Sequence, residues 1–257
     1  GIQTMDVEAA KQIANAGIPV TLLDLPSSAG NRNEIAENAK EKILKSKPPL
    51  LFEKENIKLI NAGNIEDDFN LVSEADWIVE AVVERVNIKH NIYQKIESVR
   101  KKESIISSNT STIPLKVLSE KMSDQMKKDF CITHFFNPVR YMGLLEIVTE
   151  PINDKEKIDL LKSFCDHQLG KGVIICKDTP GFIGNRIGVY AMQVAITEAF
   201  KMDLSIEEAD AIFGRPMGIP KTGIFGLYDL IGIDLMVDVL KSFVNELPTE
   251  DPFYEVA

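Results

Sequence analysis

Short, almost wholly apolar segments alternating with helix-period stretches limit this chain's fold more than any other feature. Residues 18–24 form one such segment and end in a carboxylate, Asp24. Residues 77–83, 104–108 and 131–135 are further strand candidates. Between them, residues 7–16, 33–46 and 87–99 read as helices. Ala9, Ala10, Ile13 and Ala14 share one face of the first, and Gly17 stands where a C-terminal cap belongs. Ile35, Ala39, Ile43 and Leu44 form a stripe on the second, which Pro48-Pro49 stops. Continuous apolar strands joined through helices predict a parallel sheet covered on both faces. Further strands are expected at 144–149 and 173–176, around a helix at 154–168.

The pattern changes at Lys177-Asp178-Thr179-Pro180-Gly181. Beyond it the sequence is helical, at 181–200 and again at 205–213, where Ser205 and Glu208 spell a capping box. Residues 181–200 are apolar nearly all round (Phe182, Ile183, Ile187, Val189, Tyr190, Met192, Val194, Ala195, Ile196), which predicts a helix buried between partners. The expected organisation is therefore an α/β domain over 1–178 and a smaller all-helical domain over 179–257.

Composition excludes several classes. The chain has 257 residues and a formal charge of −10, which disfavours binding to a nucleic-acid backbone. No stretch of about 18 apolar residues exists, so no membrane-spanning helix is expected. Residues 1–10 carry Asp6 and Glu8 and no basic residue, unlike a secretory leader. Cys131, Cys165 and Cys176 show neither metal-ligand nor disulfide spacing. They read as packed thiols in a reducing compartment, with a cytoplasmic location and no metal expected.

In a doubly wound sheet, a dinucleotide binds where the first loop brings a helix N-terminus to its pyrophosphate. An acidic residue ending the second strand then takes the ribose hydroxyls, and Asp24 stands in that place. A solvated strand-end carboxylate is the plain alternative. The glycine fingerprint would fall on Gly1-Ile2-Gln3-Thr4-Met5-Asp6, where Gly1 alone survives. Gln3 puts a side chain where backbone approaches the diphosphate, and Asp6 adds negative charge beside it. The fold expected is a Rossmann-like doubly wound sheet lacking its first strand, either cropped at that point or with a decayed cofactor loop.

The most informative residues are Ser108-Asn109-Thr110-Ser111, His134-Phe135-Phe136-Asn137-Pro138, Leu144-Leu145-Glu146-Ile147-Val148, and Thr179-Pro180-Gly181-Phe182 with Asn185-Arg186. Together they resemble the L-3-hydroxyacyl-CoA dehydrogenase family over nearly the whole chain. The likeness extends to the dehydrogenase part of bacterial multifunctional fatty-acid oxidation proteins through residues 63–68 and Gly214-Arg215-Pro216. Oxidising a secondary alcohol needs a base for the hydroxyl proton while hydride leaves for a nicotinamide, and histidine suits that task near neutral pH.

The resemblance implies that His134 is the base and that Glu146 holds its far nitrogen. It implies that Ser111 and Asn185 hydrogen-bond the substrate oxygen. It further implies that Gly1, Asp24, Ala81, Glu84, Lys89, Ser111 and Asn137 border NAD, with an acyl-CoA as substrate. Plainer readings stand beside these: Ser111 capping a helix near Pro114, and Glu84 and Lys89 as solvated charges on an exposed helix. His90 and His167 receive no role.

Relatives of this kind continue through further helices beyond a segment like 247–252. The chain therefore resembles one shortened at both ends, and apolar surface on 181–200 and 234–244 is expected to associate as a homodimer or with a complementing chain. Two other functions stay open: a non-catalytic remnant that no longer holds NAD, and a different two-domain nicotinamide-dependent hydroxy-acid dehydrogenase.

Overall fold

A computed structural model describes residues 4–28, 30–47, 49–219 and 221–256. The chain divides into two compact units, Gly1–Asp178 and Thr179–Ala257. Gly1 and Gln3 of the glycine segment lie outside the described residues, and Thr4 opens the first helix.

The first unit contains seven strands among the described residues: β1 (Val20–Asp24), β2 (Ile60–Asn64), β3 (Trp77–Glu80), β4 (Ile105–Ser108), β5 (Phe130–Phe135), β6 (Leu144–Val148) and β7 (Gly172–Cys176). Helices α1 (Thr4–Asn15), α2 (Glu34–Lys45), α3 (Val86–Val99), α4 (Leu115–Leu118), α5 (Asp124–Asp129) and α6 (Lys155–His167) connect and cover them. Gly17, at φ 78, follows the end of α1 as a left-handed cap.

The strands form two sheets rather than one. β1 pairs with β2, and β3 through β7 pair in sequence order. All ladders are parallel except β5–β6. That exception has a steric cause: the 136–143 connection holds no helix, and without a crossover neighbouring strands must run antiparallel. Helix α1 spans the two halves. Ala9 packs in the core under the larger sheet with Ile105, Cys131, Ile147 and Leu161. Ala10 and Ala14 pack with Leu22, Ala39 and Ile60 beneath the smaller one.

Two sequence expectations are corrected in this unit. Strand β2 was not expected, because Ile60-Asn61-Ala62-Gly63-Asn64 offers a single large apolar side chain. Gly63 is required there: a Cβ would meet Asp68 Oδ2 at 2.7 Å and Leu23 Cδ2 at 3.0 Å. Strand β3 stops at Glu80 instead of running to residue 83, because the Glu80 carboxylate accepts the Val82 N–H at 2.6 Å and bends the chain.

The second unit consists of α7 (Gly184–Lys201), α8 (Ile206–Ile212), α9 (Phe225–Ile231) and α10 (Ile233–Glu246). Ser205 and Glu208 form the expected capping box. Asp210 accepts the backbone N–H groups of Ile224, Phe225 and Gly226 at 2.7–3.0 Å, satisfying donors that the start of α9 leaves free. Val189, Met236, Phe243, Leu247 and Phe253 make the core. Arg186 lies over the rings of Phe243 and Phe253 and pairs with Asp251, whose carboxyl is held below its usual range by that guanidinium. Helix α7 is not buried all round. Val189, Ala195 and Ala199 face inward, while Ile187 and Phe200 are 64% and 70% exposed.

All three cysteines are reduced and buried. Burial pushes the thiols of Cys165 and Cys176 up to about 12 and that of Cys131 higher still. Since thiolate is the reactive form, we expect no reaction with an aromatic disulfide reagent before unfolding, and three equivalents afterwards. A thiol that reacts in the native chain would contradict this packing.

Candidate active site

Strand β5 is buried along its length, yet it carries two polar side chains, Thr133 and His134. Each needs a partner, since an unpaired buried polar group is destabilising by about 1–3 kcal/mol. Thr133 Oγ1 donates to Ser107 Oγ at 2.8 Å, and Trp77 Nε1 donates to the same oxygen at 2.9 Å. His134 is met by Glu146. The two residues are directly opposite in the antiparallel ladder, and Nδ1 lies 2.7 Å from Oε2. Both are buried, Glu146 completely. A carboxylate can only accept, so Nδ1 carries the proton and Nε2 is the basic nitrogen of the neutral ring. Phe136 packs against the imidazole, with ring centres 4.5 Å apart. Cys176 Sγ approaches Glu146 Oε1 at 3.9 Å from the next strand.

The Ser-Asn-Thr-Ser segment leaves the C-terminal end of β4 beside this pair. Asn109 Oδ1 accepts the N–H of Phe135, the neighbour of His134, at 3.1 Å, and Asn109 N donates to Glu80 O at 2.8 Å. Glu84 ties down the rest of the segment, accepting Thr110 Oγ1 at 2.8 Å and Ser111 N at 3.3 Å. Ser111 does not cap the helix at 115. Asp178 does, accepting the N–H groups of Leu115 and Lys116 at 2.9 and 3.1 Å.

Lys89 is not a solvated charge. It is 1% exposed and donates to Glu80 Oε1 at 2.8 Å, with Glu84 Oε2 at 3.2 Å. Glu80, absent from the sequence reading, is the centre of this arrangement. Its second oxygen accepts Tyr93 OH at 2.5 Å and Ser108 Oγ at 2.7 Å. Burial and the Glu80 charge push the Tyr93 hydroxyl far above its usual range, so it stays a donor. The available signal was a carboxylate closing an apolar strand, the same one that drew attention to Asp24. Ala81 sits in the bend between Glu80 and Glu84, and Asn137 is exposed just past β5.

Asp24 ends β1. Its Oδ1 accepts the Leu25 N–H at 2.5 Å, while Oδ2 is buried with no hydrogen-bond partner. Burial raises its pKa despite the Leu25 contact. An orphaned acceptor at a strand's carboxyl end is what ribose hydroxyl donors would satisfy, so this residue fits a dinucleotide. Asn185 belongs to the second unit, near the start of α7.

The family model for the 3-hydroxyacyl-CoA dehydrogenase NAD-binding domain matches residues 1–179, and that for its C-terminal domain matches 181–256. The chain belongs to the 3-hydroxyacyl-CoA dehydrogenase family. It is 41% identical, over all of its length, to a Rickettsia felis protein named as a fatty acid oxidation complex trifunctional enzyme, and covers 36% of that protein. The chain thus spans about a third of that relative's length. A Deinococcus radiodurans protein named as a 3-hydroxyacyl-CoA dehydrogenase is 38% identical across 98% of the chain and 73% of itself. The crystal structure of (S)-3-hydroxybutyryl-CoA dehydrogenase from Ralstonia eutropha superposes with a TM-score of 0.78 at 27% identity, covering 99% of this chain and 87% of that one. The family's NAD-binding domain is therefore the unit that carries His134, Glu146 and Asp24.

Asn109 offers a direct check on this geometry. Replacing it with Ala leaves the buried Phe135 N–H without its acceptor, and we expect unfolding in urea to show a loss of about 1–3 kcal/mol. A change within about 0.5 kcal/mol would mean that this bond does not hold the segment to β5.

Proposed function

We propose that the chain catalyses the oxidation of an L-3-hydroxyacyl-CoA to the 3-oxoacyl-CoA, as part of fatty-acid β-oxidation. The carrying observation is the buried His134–Glu146 pair. NAD, when bound, supplies the acceptor for the hydride leaving the carbinol carbon. The protein's share is the proton. His134 Nε2 takes it from the substrate hydroxyl, and Glu146 fixes the tautomer and stabilises the imidazolium that results. Ser111 holds the substrate oxygen, a role that the family resemblance gives to Asn185 as well. Glu146 is shut away from water, so its charge acts on the imidazole with little screening.

On the cofactor side, Asp24 accepts the adenosine ribose hydroxyls, and Gly1 belongs to the diphosphate loop. Ala81, Glu84 and Asn137 border the nicotinamide half. Lys89 serves there through Glu84, since its ammonium is already engaged by two carboxylates. No described helix is long and apolar enough to cross a membrane. We place the protein in the cytoplasm. Exposed Ile187, Leu230, Ile233 and Leu235 on the helical unit support pairing with a second copy or a complementing chain.

His134→Gln tests the assignment. The variant should lose at least ~10²-fold in acetoacetyl-CoA reduction while binding NADH as the parent does. A variant that kept most of its turnover would remove His134 from the chemistry. A folded parent that binds no NADH would instead support a non-catalytic remnant.

A further inference from the structure

A second polar cluster lies at the carboxyl ends of β1 and β2, outside the His134 site. Asn64 closes β2 opposite Asp24 in the parallel ladder, and Ile65 N donates to Asp24 O at 2.8 Å. The Asn64 side chain is buried and works as a bracket. Its Oδ1 accepts the N–H groups of Glu66 and Asp67 at 3.0 and 2.8 Å, and its Nδ2 donates to Asn33 Oδ1 and Asp67 Oδ2 at 2.6 and 3.0 Å. This turns Glu66 and Asp67 toward the loop that follows Asp24. Arg32 meets them there: Nε to Asp67 Oδ2 at 2.6 Å, Nη2 to Asp67 Oδ1 at 3.1 Å, and Nη2 to Glu66 Oε2 at 2.6 Å.

Arg32 is the only basic residue between Asp24 and Asn33. In dinucleotide-binding sheets an arginine in this loop is the group that accommodates an adenosine 2′-phosphate, whereas a strand-end carboxylate takes the free 2′-hydroxyl. Here the guanidinium fork is occupied by two carboxylates. Those contacts hold Asp67 below the usual carboxylate range and push the Arg32 guanidinium further up. Asp24 ends β1 and Asp68 accepts the Asn64 N–H at the end of β2, so two more carboxylates lie at the carboxyl ends of these strands. A phosphate dianion would enter a field of its own sign and find its natural partner already paired.

We propose that the Glu66–Asp67 clamp on Arg32 is a selectivity device that withholds this guanidinium from a 2′-phosphate, so that the site takes NAD(H) and rejects NADP(H). The inference rests on the dinucleotide reading of Asp24 given above. It assigns cofactor choice to residues that need not touch NAD themselves. Half-exposed ion pairs of this kind contribute little to folding, so altering them reads out recognition rather than stability.

The test is calorimetric binding of NADH, NADPH and adenosine 2′,5′-bisphosphate to the full chain. The isosteric double variant Glu66→Gln/Asp67→Asn frees Arg32 while leaving an amide oxygen for the Asn64 bracket. It should bind NADPH and the bisphosphate at least ~10-fold more tightly than the parent, with NADH affinity within about twofold. Adding Arg32→Gln should abolish that gain. Intact NADH binding with no gain for the 2′-phosphorylated ligands would overturn the proposal, as would a gain that survives the loss of Arg32. A folded parent that binds none of the three would overturn this proposal and the cofactor reading together.

Discussion

A histidine and a glutamate placed opposite one another in a buried antiparallel ladder dictate much of what surrounds them. Neither tolerates that position alone, because an unpaired buried carboxylate or imidazole loses its hydration with nothing in return. Their pairing requires β5 and β6 to be antiparallel in one register, since a slip by one residue would send the two side chains to opposite faces. That register in turn fixes the 136–143 connection. The buried Lys171 ammonium braces it, donating to the carbonyls of Val139 and of Met142, the latter at 2.8 Å. Asn137 hangs from the same connection. The pair therefore sets both the chemistry and the local backbone.

A second buried charge network supports it from the neighbouring strands. Glu80 gathers Lys89, Tyr93, Ser108 and the Val82 N–H, leaving no oxygen of its own unsatisfied. Lys89 passes this order to Glu84, and Glu84 passes it to the Thr110 hydroxyl and the Ser111 N–H. Such a network gives little net stability compared with apolar packing of the same volume. What it gives instead is a single conformation for the segment beside the imidazole, which a catalytic site needs and a hydrophobic core would not enforce.

Much of this was legible in the sequence because burial and polarity conflict openly there. His134 in an apolar strand, a carboxylate twelve residues on, and Asp24 closing another strand all point inward or toward a ligand. The roles of His134 and Glu146 come from the family motifs, since a histidine in an apolar strand is by itself compatible with a satisfied core residue. Lys89 was harder, because on a helix its charge looks solvated until the strand-end Glu80 is known to lie behind it. Strand β2 was invisible, since parallel pairing to one neighbour asks nothing of its side chains beyond room for Gly63. Helix α7 misled in the opposite direction: an apolar residue on every face shows that burial is possible and not which face achieves it. Asp178 reads in the sequence as part of a boundary turn, yet its carboxylate caps the helix that starts 63 residues upstream at Leu115.

The account stands or falls on which imidazole nitrogen of His134 is basic. Long-range nitrogen-15 NMR of the histidine rings, with the His134 signals assigned by their loss in a His134 variant, measures this directly. A pyrrole-type Nδ1 and a pyridine-type Nε2 in the neutral ring are the expected result. The reverse tautomer would mean that Glu146 does not hold the ring as described, and that Nε2 has no lone pair with which to take a proton.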